Sequence, residues 1–248
     1  MASVDYDRLW SFLKVRSPRM WYTWSFIKPY AQTATRRLEV GAGLLPKFPV
    51  QGTWFLDTSK AAIQKLQEEG ARGVVLNAQE PFPFKEQFFD LVGSFETLEH
   101  LEKPENALGE IARVLKDDGR FLFSVPLHAK YWSQWDTFAG HVQRFEPCEL
   151  ESLLAKQGFK VEKCYTLWHR EKYNGFISWC ASLSGHIAPY FLTLCFMLHH
   201  YFAEFYAWIT KKLVHPLEYS SLNAALPNST AVFVVCKKIK LFDHPILL

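Results

Sequence analysis

Residues 37–57 read RLEVGAGLLPKFPVQGTWFLD, and this stretch decides the fold. A strand over 37–41 runs into a glycine-rich turn, and a second strand over 52–56 ends at Asp57. Glycine lets the backbone come close to a ligand, and an acid at the end of the second strand can bind both hydroxyls of a ribose. The alternative is that Asp57 caps the helix that follows.

Strand and helix patterns alternate from residue 37 to residue 165. Apolar residues at helical spacing predict helices near 59–69, from Pro104 and from Pro147. Further strands are predicted at 72–76, 89–94, 120–125, 159–165 and 231–236, with a turn at 117–119. This alternation predicts an α/β fold, a mostly parallel Rossmann-like sheet covered by helices on both faces.

Charge and cysteine usage exclude several classes of protein. The net charge of +3 is too small to favour nucleic acid as a partner. The cysteines form no C-x-x-C pair and have no partnered histidine spacing, so we predict neither a metal site nor a disulfide framework. A reducing, cytoplasmic location is the simple expectation. The five cysteines are Cys148, Cys164, Cys180, Cys195 and Cys236.

Two segments outside the alternating core are rich in apolar residues. Residues 1–35 combine basic residues with Trp10, Trp21 and Trp24, which fits either a membrane surface or an amphipathic helix that covers the sheet. Residues 173–203 contain no Lys, Arg, Asp or Glu. We expect 173–213 to form a cap over an apolar substrate that docks on a membrane, with a purely soluble cap or dimer interface and an inserted hairpin as alternatives.

The residues of the glycine turn indicate which kind of cofactor binds there. A dinucleotide fingerprint needs a further glycine at position 46, where this sequence has Pro46. The acid Glu39 stands inside the turn motif Glu-Val-Gly-Ala-Gly. This arrangement argues against a nicotinamide-dependent dehydrogenase.

Residues 77–126 carry a resemblance to a known family. They read NAQEPFPFKEQFFDLVGSFETLEHLEKPENALGEIARVLKDDGRFLFSVP. The runs Phe-Pro-Phe, Phe-Asp-Leu-Val, Glu-Thr-Leu-Glu-His and Leu-Lys-Asp-Asp-Gly resemble the type 11 family of class I methyltransferases that use S-adenosyl-L-methionine (SAM). That group includes the ubiquinone and menaquinone biosynthesis methyltransferases. The segment 140–145, Gly-His-Val-Gln-Arg-Phe, is also similar to a segment of that family.

The resemblance implies SAM as cofactor and a seven-stranded sheet in the order 3-2-1-4-5-7-6, with the last strand antiparallel. It implies that Gly41, Gly43 and Glu39 lie at the methionine end of SAM and that Asp57 binds the ribose. It places Phe95 and Glu96 beside the methyl donor, and it places three residues at the adenine, namely Asn77, Ala78 and Gln79.

The sequence therefore predicts a SAM-dependent methyltransferase that acts on a small, hydrophobic or lipid-like acceptor. His141 and His100 follow predicted strands near the methyl donor, and histidine suits base catalysis near neutral pH. A purely structural role for these histidines is the alternative, and a non-catalytic SAM-fold protein that binds a partner is the alternative function. The expected divisions are a helical segment at 1–35, the SAM-binding core at 36–167, the hydrophobic insertion at 168–228 and a final strand and tail at 229–248.

Overall fold

Eight strands form one mixed sheet. A computed structural model describes residues 5–167, 217–222 and 229–239 of the chain. The strands are Arg37–Val40 (β1), Thr53–Asp57 (β2), Arg72–Val75 (β3), Phe89–Phe95 (β4), Leu115–Pro126 (β5), Phe159–Thr166 (β6), Glu218–Tyr219 (β7) and Ala231–Lys238 (β8). Their order in the sheet is β3-β2-β1-β4-β5-β8-β6-β7.

The predicted strand order is confirmed. The first five strands run parallel, and β8 pairs antiparallel with both β5 and β6. The strand predicted at 231–236 is therefore the long antiparallel one that separates β5 from β6. The sequence pattern missed β7, because a two-residue edge strand paired with Cys164 and Tyr165 has too few residues to show a period.

Helices cover both faces of the sheet. They are Tyr6–Phe12 (α1), Trp24–Thr33 (α2), Lys60–Glu68 (α3), Pro104–Val114 (α4), Gln134–Ala139 (α5) and Pro147–Lys156 (α6). On one face, α4 and α6 bury Leu108, Ile111 and Leu150 in the main core. On the other face, α2 packs Ile27 and Ala31 over the middle of the sheet.

The predicted turn at 117–119 lies inside β5 rather than before it. The pairing of β4 with β5 shifts register, from Phe89 opposite Leu115 to Leu91 opposite Arg120. Asp118 has a φ of 62°, the left-handed conformation that a turn needs. Asp-Asp-Gly thus forms a bulge inside β5, so the predicted turn does not separate this strand from the helix before it.

The N-terminal helices pack against the protein with their apolar sides. Leu9, Trp10 and Leu13 are buried in a cluster with Leu44 and Ala62. These contacts agree with the sequence interpretation of helices that cover the sheet. Within the described ranges, no helix is long and apolar enough to cross a bilayer. Apart from 217–222, the predicted insertion at 168–228 lies outside the described residues.

Candidate cofactor and acceptor site

The glycine turn after β1 brings backbone to the carboxyl edge of the sheet. Gly41 has a φ of 73°, and its amide donates to the carbonyl oxygen of Leu56 at 2.7 Å. A Cβ on Gly41 would lie 2.3 Å from the side chain of Thr97, so no larger residue fits. Gly43 also has positive φ, at 51°. The turn therefore needs both glycines that the sequence singled out.

Asp57 closes this turn from the end of β2. Its Oδ2 accepts from the amide of Gly43 at 2.9 Å, and its Oδ1 accepts from the amide of Ser59 at 2.8 Å. Burial raises the pKa of this carboxyl, while these two amide hydrogen bonds oppose the rise. An ionised carboxylate has about four lone-pair positions, so the two amides leave room for hydroxyl donors. Helix α3 takes its N-cap bond from Ser59 instead.

Glu39 holds the far end of the glycine loop. It is buried, and its carboxylate accepts from the amides of Lys47 and Phe48, with Oε2 2.8 Å from the Phe48 nitrogen. Burial raises the pKa of Glu39 to about 7, against the lowering effect of the two amides. The carboxylate therefore fixes residues 41–48 onto β1.

The predicted adenine loop follows β3. Oδ1 of Asn77 accepts from the amide of Gln79 at 2.9 Å, and Oε1 of Gln79 accepts from the amide of Lys103 at 2.9 Å. Ala78 is buried in the main core beside Phe82 and Leu98. The loop is thus tied to the segment that precedes α4.

The two predicted residues at the end of β4, Phe95 and Glu96, have different surroundings. The ring of Phe95 packs edge-on against Phe48 and stacks on Phe233 beneath the sheet, so its side chain belongs to the core. Glu96 has a φ of 52°, a strained conformation for a residue with a side chain. Thr97 donates toward the carbonyl oxygens of Val40 and Gly41, both at 3.3 Å. Thr97 was not predicted, although it joins β4 to the glycine turn.

The side chains of the two predicted histidines lie next to each other and close to Glu99. The rings of His100 and His141 are perpendicular with centroids 4.7 Å apart. Nε2 of His141 lies 3.8 Å from Oε1 of Glu99, whose side chain is fully buried. Burial, followed by the neighbouring His141, lowers the pKa of His100 to about 4.

Each ring is oriented by a fixed acceptor. Nδ1 of His141 lies 2.9 Å from Oδ1 of Asp136, and Nδ1 of His100 lies 3.2 Å from the carbonyl oxygen of Gly140. A carbonyl and a carboxylate accept, so each Nδ1 carries the hydrogen. Arg144 donates to both oxygens of Asp136 at 2.9 Å. Although burial acts to raise it, the bonds from His141 and Arg144 hold the pKa of Asp136 well below its usual range.

Helix α1 covers this edge of the sheet. Tyr6 donates to the carbonyl oxygen of Ala139 at 3.0 Å, and its ring meets His100 edge-on with centroids 6.1 Å apart. Trp10 stacks on Tyr6 and lies so close to Gly43 that an added Cβ would be 2.5 Å from the indole. The N-terminal segment therefore borders both the glycine turn and the histidine cluster.

A family comparison identifies the chain. A family model described as a methyltransferase domain matches residues 26–163, more than half of the sequence. The chain belongs to this methyltransferase family. No curated protein sequence matches it significantly. The predicted membership of class I SAM-dependent methyltransferases is confirmed, whereas the nearer likeness to ubiquinone and menaquinone enzymes stays a prediction.

Solved structures share the fold of this methyltransferase at low sequence identity. A chain in the complex of the Trm112 methyltransferase activator with a methyltransferase of Haloferax volcanii has a TM-score of 0.58 and 14% identity, over 97% of this chain and 100% of that one. A SAM-dependent methyltransferase of Thermotoga maritima has a TM-score of 0.55 and 16% identity, over 89% and 91%.

A third similar structure contains the cofactor. Phosphoethanolamine N-methyltransferase 2 of Haemonchus contortus, in complex with SAM, has a TM-score of 0.54 and 19% identity, over 95% of this chain and 56% of that one. Family and fold together make SAM the cofactor of this methyltransferase. The glycine turn and the buried Asp57 fit such a ligand, because they offer close backbone and a hydroxyl acceptor at the carboxyl ends of β1 and β2.

Besides Thr97, sequence reasoning did not identify three other parts of the site. Tyr6 and Trp10 are 30 or more residues from the glycine turn, and nothing in their spacing points to it. Asp136 lies between the predicted strand at 120–125 and the helix from Pro147, and its position five residues before His141 places it within reach of that ring. Glu99 belongs to the run Glu-Thr-Leu-Glu-His, but the sequence does not show that its side chain is buried beside two histidines.

Proposed function

We propose that this methyltransferase transfers the methyl group of SAM to a small, hydrophobic or lipid-like acceptor. The supporting observation is a group of aromatic side chains in the segment after β5. This segment lies at the same edge of the sheet as the histidine cluster. Trp132 is 42% exposed there, and Trp135 and Phe138 pack against each other. Aromatic side chains that stay partly exposed at such an edge favour an apolar ligand.

In the proposed complex, SAM lies over the carboxyl ends of β1 to β4. Gly41 and Gly43 contact its methionine end once Trp10 moves off Gly43, and Asp57 accepts from its ribose. Glu39 acts on the cofactor by holding the loop that follows these glycines. Asn77, Ala78 and Gln79 border the adenine, and Glu96 stands beside the methyl group together with the backbone of Phe95.

His141 and His100 act on the acceptor side. Methyl transfer from a sulfonium is an in-line displacement, so the protein mainly aligns the nucleophile and excludes water. Tyr6 and Trp10 on α1 shield this edge from solvent. The histidine cluster is the group that prepares the acceptor, because both rings are held in one orientation by Asp136 and Gly140.

The experiment is a methyl-transfer assay with SAM labelled in its methyl group and a hydrophobic extract as acceptor. We expect label to enter the organic phase with wild-type protein and much less label with Asp57→Ala. Label confined to the aqueous phase would contradict a hydrophobic acceptor. Absence of any transfer, with or without SAM binding, would favour the second candidate described next.

The second candidate is a SAM-fold protein without turnover that binds a protein or membrane partner. One observation favours this candidate: the indole of Trp10 occupies the space next to Gly43. If α1 does not move when SAM binds, the glycine turn stays closed to the cofactor. Trp10→Ala separates the two candidates, because only a covered but functional site gains SAM affinity from that change.

A further inference from the structure

Glu99, His100 and His141 have the separations of a ligand set. One nitrogen or oxygen atom from each residue lies within 4.8 Å of the others, and the Glu99–His141 pair is 3.8 Å apart. A tetrahedral cation with bonds of about 2.1 Å holds its ligand atoms about 3.4 Å apart. Shifts of under about 1 Å in each side chain therefore bring the three atoms to a common centre.

The surroundings of the two rings match those of metal-binding histidines. Such a histidine usually donates its second ring N–H to a carboxylate or a backbone carbonyl, which fixes the tautomer and the ring orientation. Asp136 provides the carboxylate for His141, and Gly140 provides the carbonyl for His100. In this tautomer, Nε2 of each ring keeps its lone pair for another partner.

The charges of the cluster also favour a cation. Glu99 has no exposed surface, and the two nearest ligating groups are imidazoles. A buried carboxylate is costly unless an opposite charge or strong hydrogen bonds compensate the lost water. A dication among these three groups places an opposite charge beside Glu99, while Arg144 forms its ion pair with Asp136.

The cluster is next to the cofactor site. Thr97, which packs against Gly41, comes only two residues before Glu99. His100 touches Tyr6 of the covering helix. A cation at this place therefore lies between the predicted methyl donor and the aromatic acceptor segment.

We propose that Glu99, His100 and His141 bind a divalent first-row cation such as Zn²⁺ at the acceptor side of the cofactor site. Two imidazoles and one carboxylate form a ligand set that leaves coordination positions open. The cysteine spacings, on which the sequence prediction of no metal was based, do not bear on this set. The cation site stands on the geometry alone, and its chemical role rests on the proposed methyl transfer.

A cation at this site favours an acceptor whose nucleophilic atom is oxygen. It binds the acceptor hydroxyl and lowers the pKa of that group, so the proton leaves to water. The oxygen then forms a bond to the methyl carbon while the bond from sulfur to that carbon breaks, and the electron pair stays on sulfur as a neutral thioether. Acceptors with a second neighbouring oxygen fit best, because they can chelate. The histidines then act as ligands and not as bases.

The test is calorimetric titration of the full chain with Zn²⁺ alone, repeated with Co²⁺ and followed by visible absorption. We compare wild type with Glu99→Gln and His141→Gln. The matched control is His128→Gln, because His128 also pairs with a carboxylate, Glu146 at 2.8 Å, outside the cluster. SAM binding is measured on every variant as a check of folding and of the proposed function.

We expect one cation per wild-type chain, a Co²⁺ spectrum without thiolate charge transfer, and a loss of affinity of more than about tenfold in both cluster variants but not in the control. No stoichiometric cation, or equal affinity in Glu99→Gln and His128→Gln, overturns the cation site even when SAM binds normally. Transfer that continues after the cation is chelated overturns its chemical role. Failure of SAM binding in wild type instead counts against the proposed function.

Discussion

Two acids at the ends of neighbouring strands have different tasks in this methyltransferase. Asp57 and Glu39 each accept from two backbone amides and are buried. Asp57 lies at the carboxyl end of β2, where parallel strands present groups to a ligand. Glu39 accepts from the amides of Lys47 and Phe48 and thereby holds the loop in place. The motif located both acids. The structure shows that Glu39 holds the loop, and the binding of a ribose by Asp57 stays a prediction.

Asp57→Ala is expected to weaken SAM binding. Loss of one or two hydrogen bonds to the ribose costs about 1–3 kcal/mol, or about 5- to 150-fold in Kd. The control is Asp90→Asn, an acid at the opposite end of β4 that accepts from Lys116 and Thr35. Calorimetry that finds wild-type affinity in Asp57→Ala would rule out the ribose assignment.

Glu39 is expected to make stability depend on pH. Its pKa is about 7 in the folded protein and about 4.5 in the unfolded chain, so the folded state keeps a proton that the unfolded state releases. Stability is therefore fully present below pH 4.5 and falls as the pH rises to 7, in total by about 3 kcal/mol.

Glu39→Gln removes this dependence, because an amide has no proton to lose in that range. Urea unfolding at pH 5 and pH 8 should show a smaller fall in stability for the variant than for wild type. The prediction fails if both proteins lose the same stability between these two pH values.

At the residue scale, local motifs were predicted better than distant contacts. Gly41, Gly43 and Asp57 come together as expected because they belong to one strand-turn-strand unit. Phe95 lies in the core because β4 is a central strand whose residues 91–95 are buried on both faces, and the motif does not encode which face the Phe95 ring takes. The contact of Glu99 with His141 joins residues some forty positions apart, and no periodicity encodes such a distance.

At the scale of elements, α1 is attached to α3 by polar contacts as well as by its apolar face. Nζ of Lys65 donates to three carbonyl oxygens at the end of α1, those of Trp10 at 3.0 Å, Ser11 at 2.7 Å and Leu13 at 2.6 Å. Asp7 in turn accepts from Ser59 at 2.7 Å at the start of α3. The charge of Lys65 also suits the C-terminal end of a helix.

Lys65→Met is expected to loosen α1. The change leaves three carbonyl oxygens without this donor and should lower the free energy of unfolding by about 1–3 kcal/mol. Hydrogen exchange should speed up in residues 8–13. The control is Lys156→Met, at the exposed end of α6. Unchanged protection of α1 in Lys65→Met would show that packing of Trp10 alone holds the helix.

Elements with a strong period were predicted, and short ones were not. The helices α3, α4 and α6 carry apolar residues at helical spacing and begin at a cap or at a proline, so their starts lie close to the predicted positions. The six-residue α5 is set by the capping box of Ser133 with Asp136 and by the left-handed Gly140. Its apolar residues are too few to define a face.

At the scale of the whole molecule, helix α5, which follows β5, is joined to the end of the sheet through a buried ion pair. Arg144 and Asp136 have side-chain exposures of 4% and 0%. Arg144 also donates to the carbonyl oxygen of Leu127 at 3.2 Å, just after β5. The pair therefore connects α5, the end of β5 and the histidine cluster.

Arg144→Met is expected to destabilise the protein by about 3–5 kcal/mol, because it leaves the buried Asp136 carboxylate without its arginine partner. The double variant Arg144→Met/Asp136→Asn removes the charge as well and should recover part of the loss. Urea unfolding measures both. A double variant that is no more stable than the single one would show that the buried charge is not the cause.

The global topology was predictable because alternating strands and helices allow few connections. The antiparallel β8 followed from the family resemblance and is confirmed. The particular contacts of α1 with the glycine turn and the histidines were not predictable, since they depend on packing between a short helix and loops distant in sequence. The predicted cap at 173–213 lies outside the described residues and stays a prediction.

The most direct test of a SAM-dependent methyltransferase is calorimetric titration of the purified chain with SAM and, separately, with NAD⁺. The buried acid at the end of β2 and the two-glycine turn predict stoichiometric SAM binding and no heat from NAD⁺. Binding of NAD⁺, or the absence of SAM binding, would contradict the assignment of the cofactor site.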